Sequence, residues 1–396
     1  MIDKVKDECT GCNACYSKCP VAAIRMQPDR EGFLRPVIDM EICIRCEQCE
    51  AVCPALVPCK ILPTRPPRVF AAWTRNEELR INSTSGGVFS ELANHILENG
   101  GHVVAARYKP DHSVEHVRID ESKDLPLLRQ SKYVQSEMGH TDREIKALLE
   151  TGDPVLFCGA PCQAAGLLSY LGRAPENLTV CDFICCGVTS PLVYQMYLAD
   201  LEKQHGAEIE TVHFKNKNVG WNQFCTFIRF KNGKTYQKDR EQDPYMYGYL
   251  TSNLYHRPCC YACKFKEVPG ISDISLGDFW GIGRTRPHLD QNKGTSLVLL
   301  NTEKGARLFA AIQNRLVAEE CRLDEALGGN PRIYKSVAKP ENRGSFFDRL
   351  LSSGSFLDTM RKFRKSGIRA AIREKARIVV DRIRRRPGTQ RPLGES

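Results

Sequence analysis

Eight cysteines near the N-terminus repeat one spacing twice, and this repeat constrains the fold more than any other feature of the chain. Both runs read C-x2-C-x2-C-x3-C and are followed by a proline, Pro20 or Pro54. The first run consists of Cys9, Cys12, Cys15 and Cys19, and the second of Cys43, Cys46, Cys49 and Cys53. Three thiolates on one tight loop can bind three irons of a cubane cluster, whereas the fourth lies too far along the chain to complete that loop.

This spacing predicts that the two runs exchange their fourth ligand, as two-cluster ferredoxins do. We therefore predict two [4Fe–4S] clusters in an α+β ferredoxin domain over residues 1–57. The first cluster would be bound by Cys9, Cys12, Cys15 and Cys53, and the second by Cys43, Cys46, Cys49 and Cys19.

Zinc and disulfide bonds are the alternatives for these cysteines. Zinc sites favour paired C-x2-C knuckles rather than triplets with a remote fourth cysteine. A disulfide framework needs an oxidising compartment, and residues 1–6 contain no apolar run that could begin a signal peptide. The count of 19 cysteines is high and odd, which favours metal ligation in a reduced cytoplasm. Because no stretch reaches the length of a membrane-spanning helix, we expect a cytoplasmic protein.

The net charge of +10 is confined to the C-terminal part of the chain. Residues 349–386 contain 13 Lys or Arg against three Asp or Glu, whereas residues 1–348 contain 43 of each sign. A balanced body gives nucleic-acid binding no support, so we expect no nucleic-acid partner.

A chain of 396 residues is long enough for two or three domains. Residues 58–67 (PCKILPTRPP) form a proline-rich linker after the ferredoxin domain. Alternating strand-like and helix-like segments then predict a mixed α/β body. We expect strands at 69–73, 102–108, 154–158, 178–184, 225–230, 234–237 and 296–301, and helices at 88–97, 163–171, 192–204 and 306–315.

Four further cysteines stand at the ends of these segments. Cys162 lies at a turn from strand to helix, Cys185 follows a strand, and Cys260 and Cys263 form a C-x2-C. Strand ends line the crevice of an α/β fold, and soft thiolates together select iron–sulfur clusters or zinc. Buried cysteine is also common as a small apolar residue, so the residues alone leave both interpretations open.

Five motifs follow one another in the body. They are STSGGVF at 83–89, SKYVQS at 131–136, GAPCQ at 159–163, DFICCGV at 182–188, and CYAC at 260–263 followed by SDISLGDFWG at 272–281. The series resembles the beta-subunit family of coenzyme F420-reducing hydrogenases and dehydrogenases, over about residues 68–320. On this basis residues 68–150 are the N-terminal part of that region, and residues 151–330 are its C-terminal part.

The resemblance implies FAD and a third [4Fe–4S] cluster in a mixed α/β flavin and iron–sulfur domain. The third cluster would be bound by Cys162, Cys185, Cys260 and Cys263. Family members often have His after the cysteine at position 185, where this chain has Cys186. Either Cys185 or Cys186 could therefore be the ligand, and Cys259 beside Cys260 raises the same question.

No G-x-G-x-x-G fingerprint follows a strand, so the flavin phosphates need another site. The candidate is a loop of small residues that opens a helix, where backbone N–H groups favour phosphate. It comprises Ser83, Thr84, Ser85, Gly86 and Gly87. The alternative is an ordinary N-cap formed by one of these hydroxyls. The resemblance adds Lys132, Tyr133, Gln135 and Ser136 as flavin contacts.

Together these features predict an iron–sulfur flavoprotein oxidoreductase. Electrons would pass between the [4Fe–4S] clusters and FAD, with hydride exchange to coenzyme F420 or another small substrate. The partner would be a redox protein or a small-molecule hydride acceptor. The alternatives are an electron-transfer subunit without its own substrate, or a reductase in surface-polysaccharide metabolism.

The basic tail at 340–396 contains an apolar stripe at helical spacing. The stripe consists of Ile368, Ile372, Ala376, Val379 and Ile383, with cations on the remaining faces. Such a helix suits peripheral contact with an anionic membrane. Packing on the body or on a second subunit is the alternative.

Overall fold

The computed structural model describes residues 1–59 and 65–364. The proline-rich linker is thus described only at its two ends, and the apolar stripe of the tail lies outside the described residues. None of the helices in the described ranges is long and apolar enough to cross a lipid bilayer.

Thirteen strands lie within the described residues. They are β1 (Ile24–Pro28), β2 (Leu34–Ile38), β3 (Arg68–Thr74), β4 (His102–Tyr108), β5 (Val114–Ile119), β6 (Val155–Gly159), β7 (Leu178–Phe183), β8 (Ile209–Asn216), β9 (Cys225–Phe230), β10 (Thr235–Asp239), β11 (Ile274–Asp278), β12 (Ser296–Leu300) and β13 (Leu316–Cys321).

The α-helices of the described residues vary from one to four turns. They are α1 (Ala14–Lys18), α2 (Gln48–Ala51), α3 (Glu77–Ile81), α4 (Val88–Glu98), α5 (Leu125–Leu128), α6 (Thr141–Thr151), α7 (Pro161–Leu171), α8 (Pro191–His205), α9 (Pro244–Met246), α10 (Ile282–Thr285), α11 (Glu303–Ala311), α12 (Leu323–Gly329) and α13 (Arg343–Ser353). Residues 356–364 are also helical. Short 3-10 turns include Ile2–Glu8 and Pro258–Ala262.

The N-terminal region contains an antiparallel hairpin, β1–β2, and one short helix in each cysteine run. Both cysteine loops place residues in the left-handed region at matching positions. The φ angles are +71° at Gly11 and +64° at Asn13, and +55° at Arg45 and +58° at Glu47. Left-handed residues within such a loop turn backbone N–H groups inward, which is a common way to surround an iron–sulfur site. The sequence repeat is therefore also a repeat of backbone conformation.

The body is built on an eight-stranded sheet of order β13-β3-β12-β11-β7-β6-β4-β5. Its centre is parallel, because β4 pairs with β6, β6 with β7, and β7 with β11 in the same direction. Antiparallel strands complete both edges. The carboxyl ends of β6, β7 and β11 thus meet at one edge of the sheet, where α/β proteins form their crevices.

Both faces of this sheet are buried. Along β3, Phe70 and Ala72 pack on one face with α4, whereas Val69, Ala71 and Trp73 pack on the other. Helix α4 buries Leu92, Ala93 and Ile96, the face that its sequence predicts. Helices α6 and α7 cover the opposite face over the central strands. The mixed α/β prediction for the body is therefore confirmed.

A three-stranded antiparallel sheet, β8–β10, packs against α8 and α13. The core between these elements is rich in tyrosine, including Tyr194, Tyr197, Tyr245 and Tyr255, all fully buried. The strands predicted at 225–230 and 234–237 form the antiparallel pair β9–β10, joined by a turn at Asn232 and Gly233. The predicted helix at 306–315 begins earlier, because Thr302 caps it by accepting a hydrogen bond from the Gly305 N–H.

The ferredoxin region packs directly on the body through helix α7. A Cβ added at Gly166 would lie 2.7 Å from the Cys12 Cβ and 2.8 Å from the Cys12 Sγ. Nearby, Tyr16 stacks on His140 with ring centroids 4.7 Å apart, and the Arg143 Nε donates to the Ser17 carbonyl at 2.7 Å. Gly166 therefore lets the first cysteine loop approach the α7 backbone.

This contact predicts opposite effects for two Gly-to-Ala substitutions. Gly344 lies exposed in α13 with nothing within 4 Å of an added Cβ, so Gly344→Ala should stabilise the chain by about 0.5–1 kcal/mol through helix propensity. Gly166→Ala should instead destabilise it, by about 1–3 kcal/mol, because the new methyl overlaps Cys12. Thermal unfolding of the reconstituted full chain compares the two. A midpoint that rises equally in both variants contradicts the close approach.

Candidate iron–sulfur and flavin site

The four cysteines predicted for the first cluster lie together. Cys9, Cys12, Cys15 and Cys53 all line one cavity beneath the first cysteine loop. Burial raises the pKa of the Cys12 thiol to about 12, and Cys53 adds to the effect. Since clusters are bound by thiolates, positive iron must offset this cost. Four soft, buried donors around one cavity fit a cubane cluster.

The set predicted for the second cluster is more exposed. Cys19 is buried and its Sγ accepts a hydrogen bond from the Ala23 N–H at 3.2 Å. Cys43 and Cys49 are half-buried and pack against the small core that contains Cys19. Cys46 is exposed. The outer loop is therefore the part of the ferredoxin region closest to solvent.

The third set is brought together from three distant segments. Cys162 lies in the first turn of α7, Cys185 follows β7, and the 3-10 turn Pro258–Ala262 presents Cys260 just before Cys263. Burial raises the pKa of the Cys162 thiol well above its usual value, and the charges of the other three cysteines add to this rise. The structure thus brings the four predicted ligands close enough for the charges of Cys185, Cys260 and Cys263 to act on the Cys162 thiol.

Cys185 and Cys186 have different surroundings. Burial raises the pKa of the Cys185 thiol to about 12, Lys266 opposes the rise, and the Sγ accepts the Gly187 N–H at 3.2 Å. The side chain of Cys186 packs instead against the tyrosine-rich core, with Lys266, Arg332, Lys215 and Asp278 as charged neighbours. Cys185 therefore lies with the third set, whereas Cys186 lies on the crevice side.

The first and third sets are adjacent. Cys12 is among the groups whose charge raises the pKa of Cys162. Gly166, one helical turn after Cys162, provides the space for Cys12. The three sets therefore form a series, with the exposed second set at one end and the third set at the crevice.

Within residues 1–59 and 65–364, no three His, Cys, Asp or Glu side chains are spaced to hold a single metal ion.

The small-residue loop at 83–87 lies between α3 and α4 and is held close to the sheet. The Gly86 N–H donates to the Ser296 Oγ at 2.9 Å, and a Cβ at Gly86 would lie 2.3 Å from the Ala72 carbonyl oxygen. The N-cap of α4 is Gly87, with φ +85° and no side-chain cap. The N-cap alternative for the hydroxyls of this loop is therefore wrong.

The hydroxyls of the loop have other positions. Ser83 donates to the Leu79 carbonyl at 2.8 Å, and Thr84 accepts from the Ser131 Oγ at 3.2 Å. The Ser85 Oγ is buried and has no hydrogen-bond partner among the described residues. An unpartnered buried hydroxyl beside a helix N-terminus fits a phosphate group.

Two half-buried lysines lie near this loop: Lys217 contacts it directly, and Lys132 follows Ser131, which contacts Thr84. The Lys217 amine donates to the carbonyls of Arg80, Ser85 and Lys293, at 2.8, 2.6 and 2.9 Å. The Lys132 amine donates to three carbonyls of residues 128–130. Burial lowers the pKa of both amines to about 7. Because loss of water is the main cause, a bound anion would restore their charge.

The other predicted flavin contacts divide into two groups. Tyr133 is near the crevice, where burial raises its pKa well above the usual value and Asp278 and Cys186 add to the rise. Gln135 donates to the Thr10 carbonyl at 3.0 Å, and Ser136 accepts from the Gln163 Nε2 at 3.0 Å. Gln135 and Ser136 therefore contact the cysteine loop and α7, and their role at a flavin stays a prediction.

The sequence did not indicate the pair of stacked tryptophans beside the end of β11. Trp221 and Trp280 stack with ring centroids 4.5 Å apart, and the Trp221 Nε1 donates to the Asp278 Oδ1 at 3.0 Å. Lys215 forms an ion pair with Asp278 and lies 4.8 Å from the Trp280 ring centroid. Lys215, Lys217 and Trp221 lie in a segment whose spacing carries no local motif; only Asp278 and Trp280 fall in one of the five motifs.

The different surroundings of Cys185 and Cys186 predict different results for their serine variants. If the third set binds a cluster, Cys185→Ser should lose about four irons per chain after anaerobic reconstitution. Cys186→Ser, the matched neighbour, should retain them, because its side chain packs against the tyrosine-rich core. Iron analysis with electron paramagnetic resonance (EPR) distinguishes the variants. Loss of iron only in Cys186→Ser would reverse the assignment.

Family models match most of the chain. The model for the C-terminal region of the coenzyme F420 hydrogenase/dehydrogenase beta subunit matches residues 152–326, and its N-terminal counterpart matches residues 69–141. A 4Fe-4S dicluster domain model matches residues 8–57.

Two curated proteins and one solved structure are similar to this chain. The F subunit of the F420H2 dehydrogenase of Methanosarcina mazei is 21% identical over 324 residues, which cover 78% of this chain and 84% of the relative. Ferredoxin-2 of Chlorobaculum tepidum is 40% identical over 60 residues, 14% of this chain and 89% of the relative. A chain of the F420-reducing [NiFe] hydrogenase complex from Methanosarcina barkeri is 17% identical, with a TM-score of 0.45 over 70% of this chain and 91% of that chain.

The two beta-subunit models lie side by side over the eight-stranded sheet and its crevice, and the dicluster model covers both cysteine runs. The chain therefore belongs to the coenzyme F420 hydrogenase/dehydrogenase beta-subunit family and has a 4Fe-4S dicluster domain before the beta-subunit region.

Proposed function

We propose that this chain is an iron–sulfur flavoprotein oxidoreductase that passes electrons between three [4Fe–4S] clusters and FAD. The observation that carries the proposal is the series of three cysteine sets that ends at the crevice. Cys12 of the first set and Cys162 of the third are neighbours across the contact at Gly166. A series of this kind suits single-electron transfer through the protein interior.

The crevice supplies groups that fit a flavin dinucleotide. Gly86 and Gly87 let the 83–87 loop pack closely against the sheet, and the unpartnered Ser85 Oγ beside the start of α4 would bind a phosphate. The buried amines of Lys132 and Lys217 would contribute positive charge. When bound, FAD would supply the exchange between one-electron and two-electron chemistry that iron–sulfur clusters lack.

The hydride partner in this proposal is coenzyme F420 or another small molecule that enters beside Trp280. The family supports coenzyme F420, and the Methanosarcina mazei relative is named as a subunit of an F420H2 dehydrogenase. That name also supports the second candidate, an electron-transfer subunit that acts within a larger complex.

The exposed second set is where we expect a redox partner protein to bind. Cys46 is exposed, and Ile44 beside it is 61% exposed. Ile42 and Met40 extend the apolar surface. A partner that covers this loop would come close to the second cluster and exclude water from it.

We also propose that the protein acts in the cytoplasm, because its high cysteine count favours metal ligation in a reducing compartment.

The proposal is tested by metal content and turnover of the full chain. Anaerobic reconstitution should give about twelve irons per chain, from three four-iron clusters. Cys162→Ser should lose one cluster, whereas Cys225→Ser, which changes a buried cysteine of β9, should lose none. Assays with F420, NAD(P)H and reduced ferredoxin then identify the partner. Turnover by the isolated chain supports an enzyme; flavin and cluster reduction without turnover supports an electron-transfer subunit. About eight irons and no bound flavin would contradict both.

The lowered pKa of Lys217 predicts a pH dependence of FAD binding. An anion favours the protonated amine, so FAD should bind more weakly as the pH rises above about 7. Lys217→Gln should bind FAD more weakly at low pH and show a shallower dependence. Flavin fluorescence titration from about pH 6 to about pH 9 measures this.

Lys146→Gln is the control, because Lys146 is exposed on α6 and pairs only with Glu150 at 3.8 Å. It should behave as the unmodified chain. An FAD affinity that is constant over this pH range, or equal in Lys217→Gln, would remove Lys217 from the flavin site.

A further inference from the structure

Arg257 is a fully buried cation at the junction of the ferredoxin region and the body. It directly precedes the turn that presents Cys260 and Cys263. Its guanidinium reaches into the first cysteine loop, where the Nε donates to the Cys9 carbonyl at 2.6 Å and the Nη2 approaches the Cys9 Sγ at 3.3 Å. One side chain therefore connects the segment of the third set to a predicted ligand of the first cluster.

Two further N–H donors of Arg257 are also occupied. The Nη2 donates to the Leu34 carbonyl at 2.8 Å, and the Nη1 donates to the Gln135 Oε1 at 2.7 Å. Gln135 itself donates to the Thr10 carbonyl at 3.0 Å, which fixes the amide between loop and guanidinium. The guanidinium is thus held in one orientation by groups of both regions.

The cysteine loop is shaped to receive these groups. Gly11 has φ +71°, and a Cβ there would lie 2.4 Å from the Gln135 Nε2 and 2.8 Å from the Arg257 Nη1. Any larger residue would displace the amide and the guanidinium. The close approach at Gly11 is a separate observation from the hydrogen bonds to Cys9. It also shows that the first cysteine loop is shaped around the Arg257 guanidinium.

The charge of Arg257 has no carboxylate partner among the described residues. Its polar contacts are carbonyls, an amide and the Cys9 sulfur, and its face lies 5.3 Å from the Phe33 ring centroid. A buried cation without a counter-ion is unfavourable, and dipoles and an aromatic face offset only part of that cost. An iron–sulfur cluster with four thiolates carries negative charge, so it would supply the missing counter-charge at Cys9.

We propose that Arg257 is a positioning residue that orients the Cys9 ligand and raises the reduction potential of the first cluster. This rests on the proposed function, in which Cys9 binds that cluster. Hydrogen bonds to cluster sulfurs and nearby positive charge stabilise the reduced state, which carries one more negative charge.

Arg343 is the matched control. It is also buried at the junction, pairs with Glu31 of the ferredoxin region, and donates to the His256 carbonyl at 2.9 Å. Its contacts include no cysteine. Loss of Arg343 should therefore weaken the docking of the two regions without changing the hydrogen bonds to the cluster.

The experiment is an EPR-monitored redox titration of the anaerobically reconstituted full chain. Cys9→Ser and Cys46→Ser assign the signals of the first and second clusters. In Arg257→Gln the midpoint potential of the first cluster should shift to a more negative value, with that of the second unchanged. Arg257→Lys keeps the charge but loses the planar fork, so its shift should have the same sign and be smaller. This conservative variant provides the reading if Arg257→Gln fails to fold.

An unchanged first-cluster potential in Arg257→Gln, or in Arg257→Lys where only that variant folds, overturns the proposal. So does an equal shift in Arg343→Gln, because the effect would then come from docking alone. These results leave the three clusters of the proposed function in place. By contrast, a Cys9→Ser variant that loses no cluster signal removes Cys9 as a ligand and overturns the proposed function at this position as well.

Discussion

The close contact between the first cysteine loop and helix α7 is the constraint on which the rest of the site depends. Cys12 reaches the α7 backbone because Gly166 has no side chain, and Cys162 lies one turn earlier on the same helix. The distance between Cys12 and Cys162 is therefore fixed by the face of α7 against which Cys12 packs. Arg257 strengthens the same junction from the segment of Cys260. An electron carrier that was only tethered would lack this fixed distance.

Burial of positive charge is the second feature that the sites share. Lys132, Lys217 and Arg257 are surrounded mainly by backbone carbonyls, which offset part of the cost of removing a cation from water. Lys217 donates to the Ser85 carbonyl of the 83–87 loop, and Arg257 lies beside Cys9. At both places the proposed function puts an anion next to the cation, either a phosphate or a thiolate-bound cluster. Stability of the apo chain and binding of the groups are thus coupled.

The sequence predicted what local spacing determines and missed what long-range packing determines. The strands at 102–108 and 225–230 match β4 and β9, because alternating or continuous apolar runs between turns mark them clearly. The sequence also indicated that Cys162, Cys185 and the C-x2-C pair come together, because the ends of neighbouring parallel strands meet at one edge of an α/β sheet. Lys217 and Arg257 could not be found in this way, since a single cation in an irregular segment has no periodicity. Ser85, a partner of Lys217, and Cys9, a partner of Arg257, both lie more than 100 residues away in the chain.

The two halves of the cysteine repeat have the same backbone conformation but different surroundings. This difference distinguishes a buried end of the series of cysteine sets from an exposed end. Left-handed residues recur at Gly11 and Arg45, so the loops are conformationally equivalent. Residues 9–15 are buried under the body, whereas Cys46 and Ile44 remain exposed. A repeat alone would give two equivalent clusters. Packing on the body buries one loop beside Arg257 and leaves the other at the surface. The place of each cluster in the proposed electron path is therefore set by the body and not by the repeat itself.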